Sequence, residues 1–380
     1  MNGVRDVAAA GQPGRDGQVM PMSGPPARVI VAIPVRNEAT RIGGCLRALA
    51  AQRGAAVDRV VLLLNNCNDE TELCVRRLMP TLGINLRIAR RRAAGAGHAR
   101  SLALRHAAVG LAEHDLLLTT DADGVVSADW VRNTLAAFQS GADAVCGRAV
   151  IDPHEATFIP AALHADDARE CRLAALLDEL ADAIDPDPCD PLPRHVEHSG
   201  ASIAVTVRAW RRVGGIPPHA TGEDRAFIEA LRRIDARIRH APDVFVTVSG
   251  RVDGRAAGGM AETIRRRMVC QDEFADPLVE PAADRVRRLR LRAAARAAWK
   301  RTDGPAAYLA HALRLPQDVI ERALAAPYFG EAWATLEHAA SGLTARRVRF
   351  TDLPAEIESA SALLESARQC RNLPLESIAA

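Results

Sequence analysis

Short apolar runs alternate with amphipathic stretches along the first two-thirds of the chain. Val29-Ile-Val-Ala-Ile33 is a continuous apolar run closed by Pro34, and Ile42, Cys45, Leu46 and Leu49 follow at helical spacing. Val60-Val-Leu-Leu-Leu64 repeats the plan, with a polar turn over Asn65–Asp69 and a helix beginning near Thr71. A weaker strand is predicted around Leu86–Ala89, then a turn through Gly95-Ala-Gly97 and a helix toward Gly110. Leu116-Leu-Leu-Thr-Thr120 closes the series with a fully apolar start. Strands that read as continuous apolar runs are covered on both faces, and their alternation with helices predicts an α/β fold with a parallel sheet.

Beyond this unit the pattern continues less regularly. A helix from Trp130 to about Ser140 precedes a strand over Ala144–Val150, and a helical piece spans about Ala165–Ala183. Asp185-Pro-Asp-Pro-Cys-Asp-Pro-Leu-Pro193 excludes regular helix and central strand, and predicts a mobile loop. Gly200–Val205 reads as a strand, and Arg208–Val213 as a short helix stopped by Gly214-Gly215. Gly222-Glu223-Asp224 opens a helix through about Ile234, followed by a strand over Val244–Val248. From about Ala256 the signal is helical, rich in Ala, Arg and Leu. The expected organisation is a disordered leader over residues 1–27, a catalytic domain over 28–268 and a helical region over 269–380.

Composition narrows the class. The 380 residues are 48% hydrophobic, ample for a buried core, and a net charge of +2 gives no argument for a nucleic-acid partner. The eight cysteines form no C-x-x-C pair, which predicts free thiols and a reducing, cytoplasmic setting. No apolar run approaches the roughly 18 residues of a membrane-spanning helix. The basic stretch Arg285–Arg301 reads as the solvated face of a packed helix, with peripheral contact to anionic lipid as the alternative.

The chemistry concentrates after the Leu116 strand. Thr120-Asp121-Ala-Asp123-Gly sits at the carboxyl end of that strand, where open α/β sheets bind ligands. In extended chain, residues i and i+2 point the same way, so Asp121 and Asp123 can face one ligand. Two hard oxygen donors with room for phosphate oxygens suit Mg²⁺ or Mn²⁺. Asp and Gly are also common in ordinary turns after strands, so the pair acquires weight only from its companions. The Gly95/Gly97 turn lacks the third glycine of a dinucleotide fingerprint, since Arg100 stands there.

Six motifs in order resemble the family 2 nucleotide-sugar glycosyltransferases, of GT-A-type fold, over about Val29–Met268. Ile33-Pro34-Val35-Arg36-Asn37-Glu38 is similar to the family's first-strand turn. Asn66-Cys67-Asn68-Asp69 resembles the second-strand turn that cups the nucleoside, and Gly95-Ala-Gly97-His-Ala-Arg100-Ser101 its glycine-rich segment. Asp121-Ala-Asp123 matches the metal-binding D-x-D. Gly200-Ala201-Ser202 with Gly214-Gly215 resembles the acceptor-side segment, and Glu223-Asp224 the E-D that supplies the base. Two features depart from the family pattern: Asn65 and Asn66 stand where at least one aspartate is usual, and Ser101 replaces an asparagine.

The resemblance implies a metal-dependent, inverting transfer of one sugar from a nucleoside diphosphate sugar to an acceptor hydroxyl. It implies Asp123 and Asp121 on the metal, and Pro34, Arg36, Glu38, Asn66, Asp69, Gly97, Arg100 and Asp121 around the nucleotide-sugar. Gly200, Ala201 and Gly215 fall on the acceptor side, with Asp224 as base and Glu223 supporting it. The Q-x-x-R-W signature of processive members is absent, which implies non-processive transfer. A non-catalytic nucleotide-sugar-binding relative is the alternative, though the presence of Asp224 argues for catalysis. An aspartyl-nucleophile phosphohydrolase also carries D-x-D-G after a strand, but needs a downstream lysine with a further acidic site. The single lysine, Lys300, has no acidic pair after it.

Overall fold

The computed structural model describes residues 27–219, 221–254, 258–299 and 306–372. The predicted leader and Lys300 lie outside the described residues, apart from Ala27. The elements run β1 (Val29–Val35), α1 (Ile42–Ala50), β2 (Arg59–Asn65), α2 (Thr71–Leu82), β3 (Leu86–Arg91), α3 (Ala96–Ala107) and β4 (Leu116–Thr119). Then follow β5 (Val125–Val126), α4 (Trp130–Gln139), β6 (Ala144–Ile151), α5 (Pro153–Ala156), α6 (Ala161–Ile184) and β7 (Ile203–Thr206). After these come α7 (Val207–Arg212), α8 (Glu223–Arg233), β8 (Ile238–Val248) and α9 (Met260–Val269). The last helices are α10 (Ala282–Ala298), α11 (Ala306–Leu313), α12 (Gln317–Leu324), α13 (Phe329–Ala339) and α14 (Leu353–Asn372).

The strands form one sheet in the order β3-β2-β1-β4-β7-β6-β8-β5. Pairings β1–β2, β1–β4, β2–β3 and β6–β8 are parallel, whereas β4–β7, β6–β7 and β5–β8 are antiparallel. The first half is thus the predicted parallel unit, and β7 turns the second half into a mixed sheet. The strand order reverses between β1 and β4, a switch point that opens a crevice at their carboxyl ends.

Side chains alternate across the sheet into two cores. Val31, Ile33, Leu62 and Leu118 face α1 and α4 on one side. Ile30, Ala32, Leu63 and Leu117 face α3, α7 and α8 on the other. Every residue of β4 is buried, as its continuous apolar pattern requires. A third core combines Leu173, Leu176, Leu177 and Leu180 of α6 with Val286 and Leu289 of α10 and Ala360 and Leu364 of α14. The long helix inserted before β7 therefore packs with the C-terminal helices, although it precedes two strands of the sheet, β7 and β8, in sequence.

Two sequence expectations are revised here. The strand predicted over Gly200–Val205 begins with a 3-10 turn, Gly200–Ser202, and becomes extended only at Ile203. The proline-rich segment before it is anchored rather than loose. Asp190 accepts from the His240 backbone at 2.8 Å and its ring at 2.6 Å, and Arg194 holds Asp178 at 2.8 Å. Prolines forbid regular structure in this segment, but buried ion pairs fix it. Among the described residues, no helix is long and apolar enough to cross a membrane. The seven cysteines with described side chains are free thiols, as their spacing predicts.

Candidate active site

A cleft of about 700 Å³ opens at the carboxyl ends of β1, β2 and β4. Pro34, Val35 and Arg36 form its wall at the end of β1, Asn65 at the end of β2, and Asp121 and Asp123 beyond β4. Gly200 and Ala201 enter from the turn before β7, and Glu223 and Asp224 from the first turn of α8. The two acidic motifs, about a hundred residues apart in sequence, thus meet across one cavity.

Arg100 ties them together. Its Nε donates to Glu223 Oε1 at 2.9 Å and its Nη2 to Asp121 Oδ1 at 2.9 Å. Its Nη1 donates to Thr119 Oγ1 at 2.9 Å and to the Gly200 carbonyl at 2.7 Å. Burial opposes the charge on this guanidinium, but Asp121 and Glu223 outweigh it and hold the proton more firmly than usual. Gly200 is glycine for a steric reason, since a Cβ there would lie 2.6 Å from Arg100 Cζ. Glu223 is buried and committed to this ion pair.

Asp224 is differently placed. It is half-buried at the second position of α8; Oδ2 accepts from the Gly200 backbone at 3.1 Å and Oδ1 from the Arg225 backbone at 2.8 Å. Its carboxylate faces the cleft without an ion-pair partner among the described residues, leaving lone pairs for a ligand proton.

Sequence reasoning did not identify Arg251, which follows β8. Its Nη1 donates to Glu38 Oε2 at 2.8 Å, its Nη2 to Glu38 Oε1, and that same Nη2 lies 3.0 Å from Asp123 Oδ2. Even so, the Asp123 carboxyl is pushed up to about 6, first by burial and then by Asp121, with Glu38 adding to the rise. Among the described residues lining the cleft, five carboxylates stand against four arginines.

That excess, on hard oxygen donors, fits a divalent Mg²⁺ or Mn²⁺ ion. Among the described residues no three acidic, histidine or cysteine side chains form a closed metal set. An open site of one or two carboxylates, completed by phosphate oxygens, is the usual arrangement for Mg²⁺.

Ten of the residues singled out from sequence line this cleft: Pro34, Arg36, Glu38, Arg100, Asp121, Asp123, Gly200, Ala201, Glu223 and Asp224. Four others are placed elsewhere, each with a structural task. Asp69 accepts from Thr71 N at 3.0 Å and from Ala39 N at 3.2 Å, bracing the α2 start against the β1 turn. Asn66 turns the chain with φ 53°, and its neighbour Asn65 supplies the cleft wall instead. Gly97 lets α3 pack against α8, because a Cβ there would meet the His219 carbonyl and lie 2.9 Å from Glu223 Cβ. Gly215, at φ 88°, packs on Trp210 behind α7.

Residues 30–205 match the model of glycosyl transferase family 2. This segment is a family 2 glycosyltransferase domain. The matched segment contains β1 to β4 and the D-x-D turn, and ends within β7, so it includes the crevice and stops before α8. No curated protein matches the chain in sequence. Among solved structures, S. aureus TarS 1–349 in complex with UDP-GlcNAc aligns at TM-score 0.46 and 16% identity, over 90% of this chain and 92% of that one. The mannosyltransferase PcManGT from Pyrobaculum calidifontis, in complex with GDP-Man and Mn²⁺, aligns at TM-score 0.43 and 20% identity, over 92% and 86%. Glucosyl-3-phosphoglycerate synthase from Mycobacterium tuberculosis, with Mn²⁺, UDP-Glc and phosphoglyceric acid, gives 0.37 and 15%, over 66% and 81%. The helix-flanked sheet, parallel in its first half, and the helical C-terminal region are the architecture that the sequence predicts.

Proposed function

We propose that this glycosyltransferase moves a single sugar from a nucleoside diphosphate sugar to an acceptor hydroxyl, by an inverting and non-processive displacement. The observation that carries the reading is the cleft in which Asp121 and Asp123 face Glu223 and Asp224 with Arg100 bonded to both motifs. Catalysis of this kind needs a site for the leaving diphosphate and, opposite it, a base for the attacking hydroxyl.

In this reading Asp123, with Asp121, holds a Mg²⁺ or Mn²⁺ ion. When bound, the ion supplies neutralisation of the charge developing on the diphosphate. Pro34, Arg36, Glu38 and Asn65 shape the nucleotide side of the cleft. Arg100 acts through others, fixing Asp121 and Glu223 in the relative position the reaction needs. Asp224 takes the acceptor O–H proton while that oxygen forms its bond to the anomeric carbon, and the bond to the diphosphate breaks with its electron pair leaving on the diphosphate. Gly200 N–H holds the Asp224 carboxylate in place for this step. Non-processivity rests on the missing Q-x-x-R-W motif. The division into a catalytic region over 28–268 and a helical region over 269–380 belongs to the same proposal, with α6 packed on the latter.

The test is nucleoside diphosphate release from a panel of UDP- and GDP-sugars, with Mn²⁺, with Mg²⁺ and with chelator. Slow hydrolysis of one donor, dependent on the metal, is expected. Turnover that is indifferent to chelator and to Asp123→Asn would remove the metal from the mechanism, and no interaction with any donor would remove the function.

A further inference from the structure

Arg251 stands in an unusual position for a residue with no assigned task. Its guanidinium spans two carboxylates on opposite sides of the switch point, Glu38 after β1 and Asp123 after β4. One nitrogen, Nη2, serves both. The base of the side chain is anchored: Arg251 N donates to Ser249 Oγ at 3.2 Å, and Ser249 Oγ and Gly250 N both donate to Glu155 Oε2. Glu155 is itself paired with Arg41 at 2.7 Å. The backbone is thus held, while the side chain lines the open cleft, as do Gly254, Gly258 and Met260.

We propose that Arg251 is the resident counter-cation of the Asp123 site and makes divalent-cation binding conditional on a donor diphosphate. The inference rests on the metal-dependent donor site proposed above. Asp123 Oδ2 already carries a guanidinium nitrogen at 3.0 Å. A divalent cation arriving alone must share that oxygen with a like charge or displace it. Displacement without a new partner leaves a half-buried guanidinium with Glu38 alone and takes away its second counter-charge, which is costly. A diphosphate removes that cost, because its oxygens offer the guanidinium a charged acceptor in place of the single contact that Asp123 gives up. The anchored backbone keeps the arginine within the same cleft for this exchange, and Glu38 remains its fixed partner. Linkage requires the effect to be reciprocal, so the metal strengthens nucleotide binding by the same factor that the nucleotide strengthens metal binding.

The experiment is a binding square on the whole protein: Mn²⁺ alone by electron paramagnetic resonance, UDP and GDP alone by calorimetry, and each pair together. The wild type is expected to bind Mn²⁺ weakly alone and at least about tenfold more tightly with the preferred nucleotide. Arg251→Gln should bind Mn²⁺ alone at least about tenfold more tightly than wild type, with the coupling reduced correspondingly. Arg251→Lys, which keeps the charge, should retain weak binding of Mn²⁺ alone. Arg225→Gln should leave the affinity for Mn²⁺ alone unchanged, because Arg225 lines the same cleft but pairs with Asp276 at 3.0 Å. Equal coupling in wild type and Arg251→Gln overturns the proposal while leaving the metal-dependent donor site standing. Absence of Mn²⁺ binding in wild type with either nucleotide, unchanged in Asp123→Asn, overturns both.

Discussion

Arg100 Nε lies 2.9 Å from Glu223 Oε1, joining α3 to α8 across 123 positions, with both side chains buried. Removing one partner of such a pair leaves the other charged and unpaired in a poorly solvated place. Arg100→Met is therefore expected to lose about 3–5 kcal/mol of stability in urea titrations. Adding Glu223→Gln to that variant should recover part of the loss, since one stranded charge then disappears. A double variant no more stable than Arg100→Met alone would mean that the pair is not the source of the cost.

Glu223 and Asp224 are adjacent but should respond differently to loss of charge. Asp224→Asn keeps an oxygen for the Gly200 N–H and strands no guanidinium, so folding and nucleoside diphosphate affinity should stay near wild type. Donor turnover should fall by about 10²–10⁴, the usual contribution of a general base. Glu223→Gln should instead lower the melting temperature. Comparing steady-state release of nucleoside diphosphate with calorimetric affinity in the two variants separates base from brace. Wild-type turnover in Asp224→Asn would remove it from the chemistry.

Gly97 gives a purely steric prediction. Gly97→Ala places a methyl group against the His219 carbonyl and Glu223 Cβ, neither of which is the end of a flexible chain. Overpacking of this kind costs about 1–3 kcal/mol, read as a shift in the denaturation midpoint. An alanine variant as stable as wild type would show that the α3–α8 contact yields more easily than its distances imply.

The pH response combines two opposing effects. Burial pushes the His195 imidazole down to about 4, helped by the neighbouring His240 charge, and burial with Arg232 pushes His198 down to about 2. These groups protonate near 6.5 in the unfolded chain, so their contribution is complete above that pH and is lost as pH falls toward 4. Asp123 acts oppositely: held at about 6, it takes up a proton in the folded state first and adds stability as pH falls from 6 toward 4. In chelator, Asp123→Asn should therefore show a steeper acid decline in melting temperature than wild type. Parallel curves from pH 7.5 to 5 would contradict these assignments.

The fold was legible wherever burial dictates the pattern. β1, β2 and β4 are covered on both faces, and their continuous apolar runs could be read directly. β8 was visible only over Val244–Val248 because its earlier part, from Ile238, carries Arg239, His240 and Asp243. Those polar residues look like a loop in sequence, yet His240 is satisfied by Asp190 and the backbone runs in register with β6. At the site, the D-x-D and E-D motifs could be singled out only by their company, since acidic residues at element ends also serve ordinary turns and helix starts; the structure brings both to one cleft. Their neighbours were harder, since a motif marks a stretch of backbone but not which side chain faces the ligand. Asn65 rather than Asn66 lines the cleft because β2 ends at Asn65 and Asn66 turns away. Arg251 gave no signal: it reaches Glu38 across 213 positions, in a chain where arginine is everywhere.

Helix α8 is gripped at both ends, by elements of different origin. At its start Glu223 holds Arg100 and Arg225 holds Asp276 at 3.0 Å. Just past its end the Asp235 carboxylate caps the first turn of α13, accepting from Phe329 N and Gly330 N at 2.7 Å each. Gly330 lies so close to the Arg232 carbonyl that no side chain fits between. An α-helix of 11 residues is a stiff rod about 16 Å long. The C-terminal helices therefore brace the far end of a rod whose near tip is Asp224, and a protein cut after Val269 would keep every acidic residue of the cleft while losing the hand that steadies one of them.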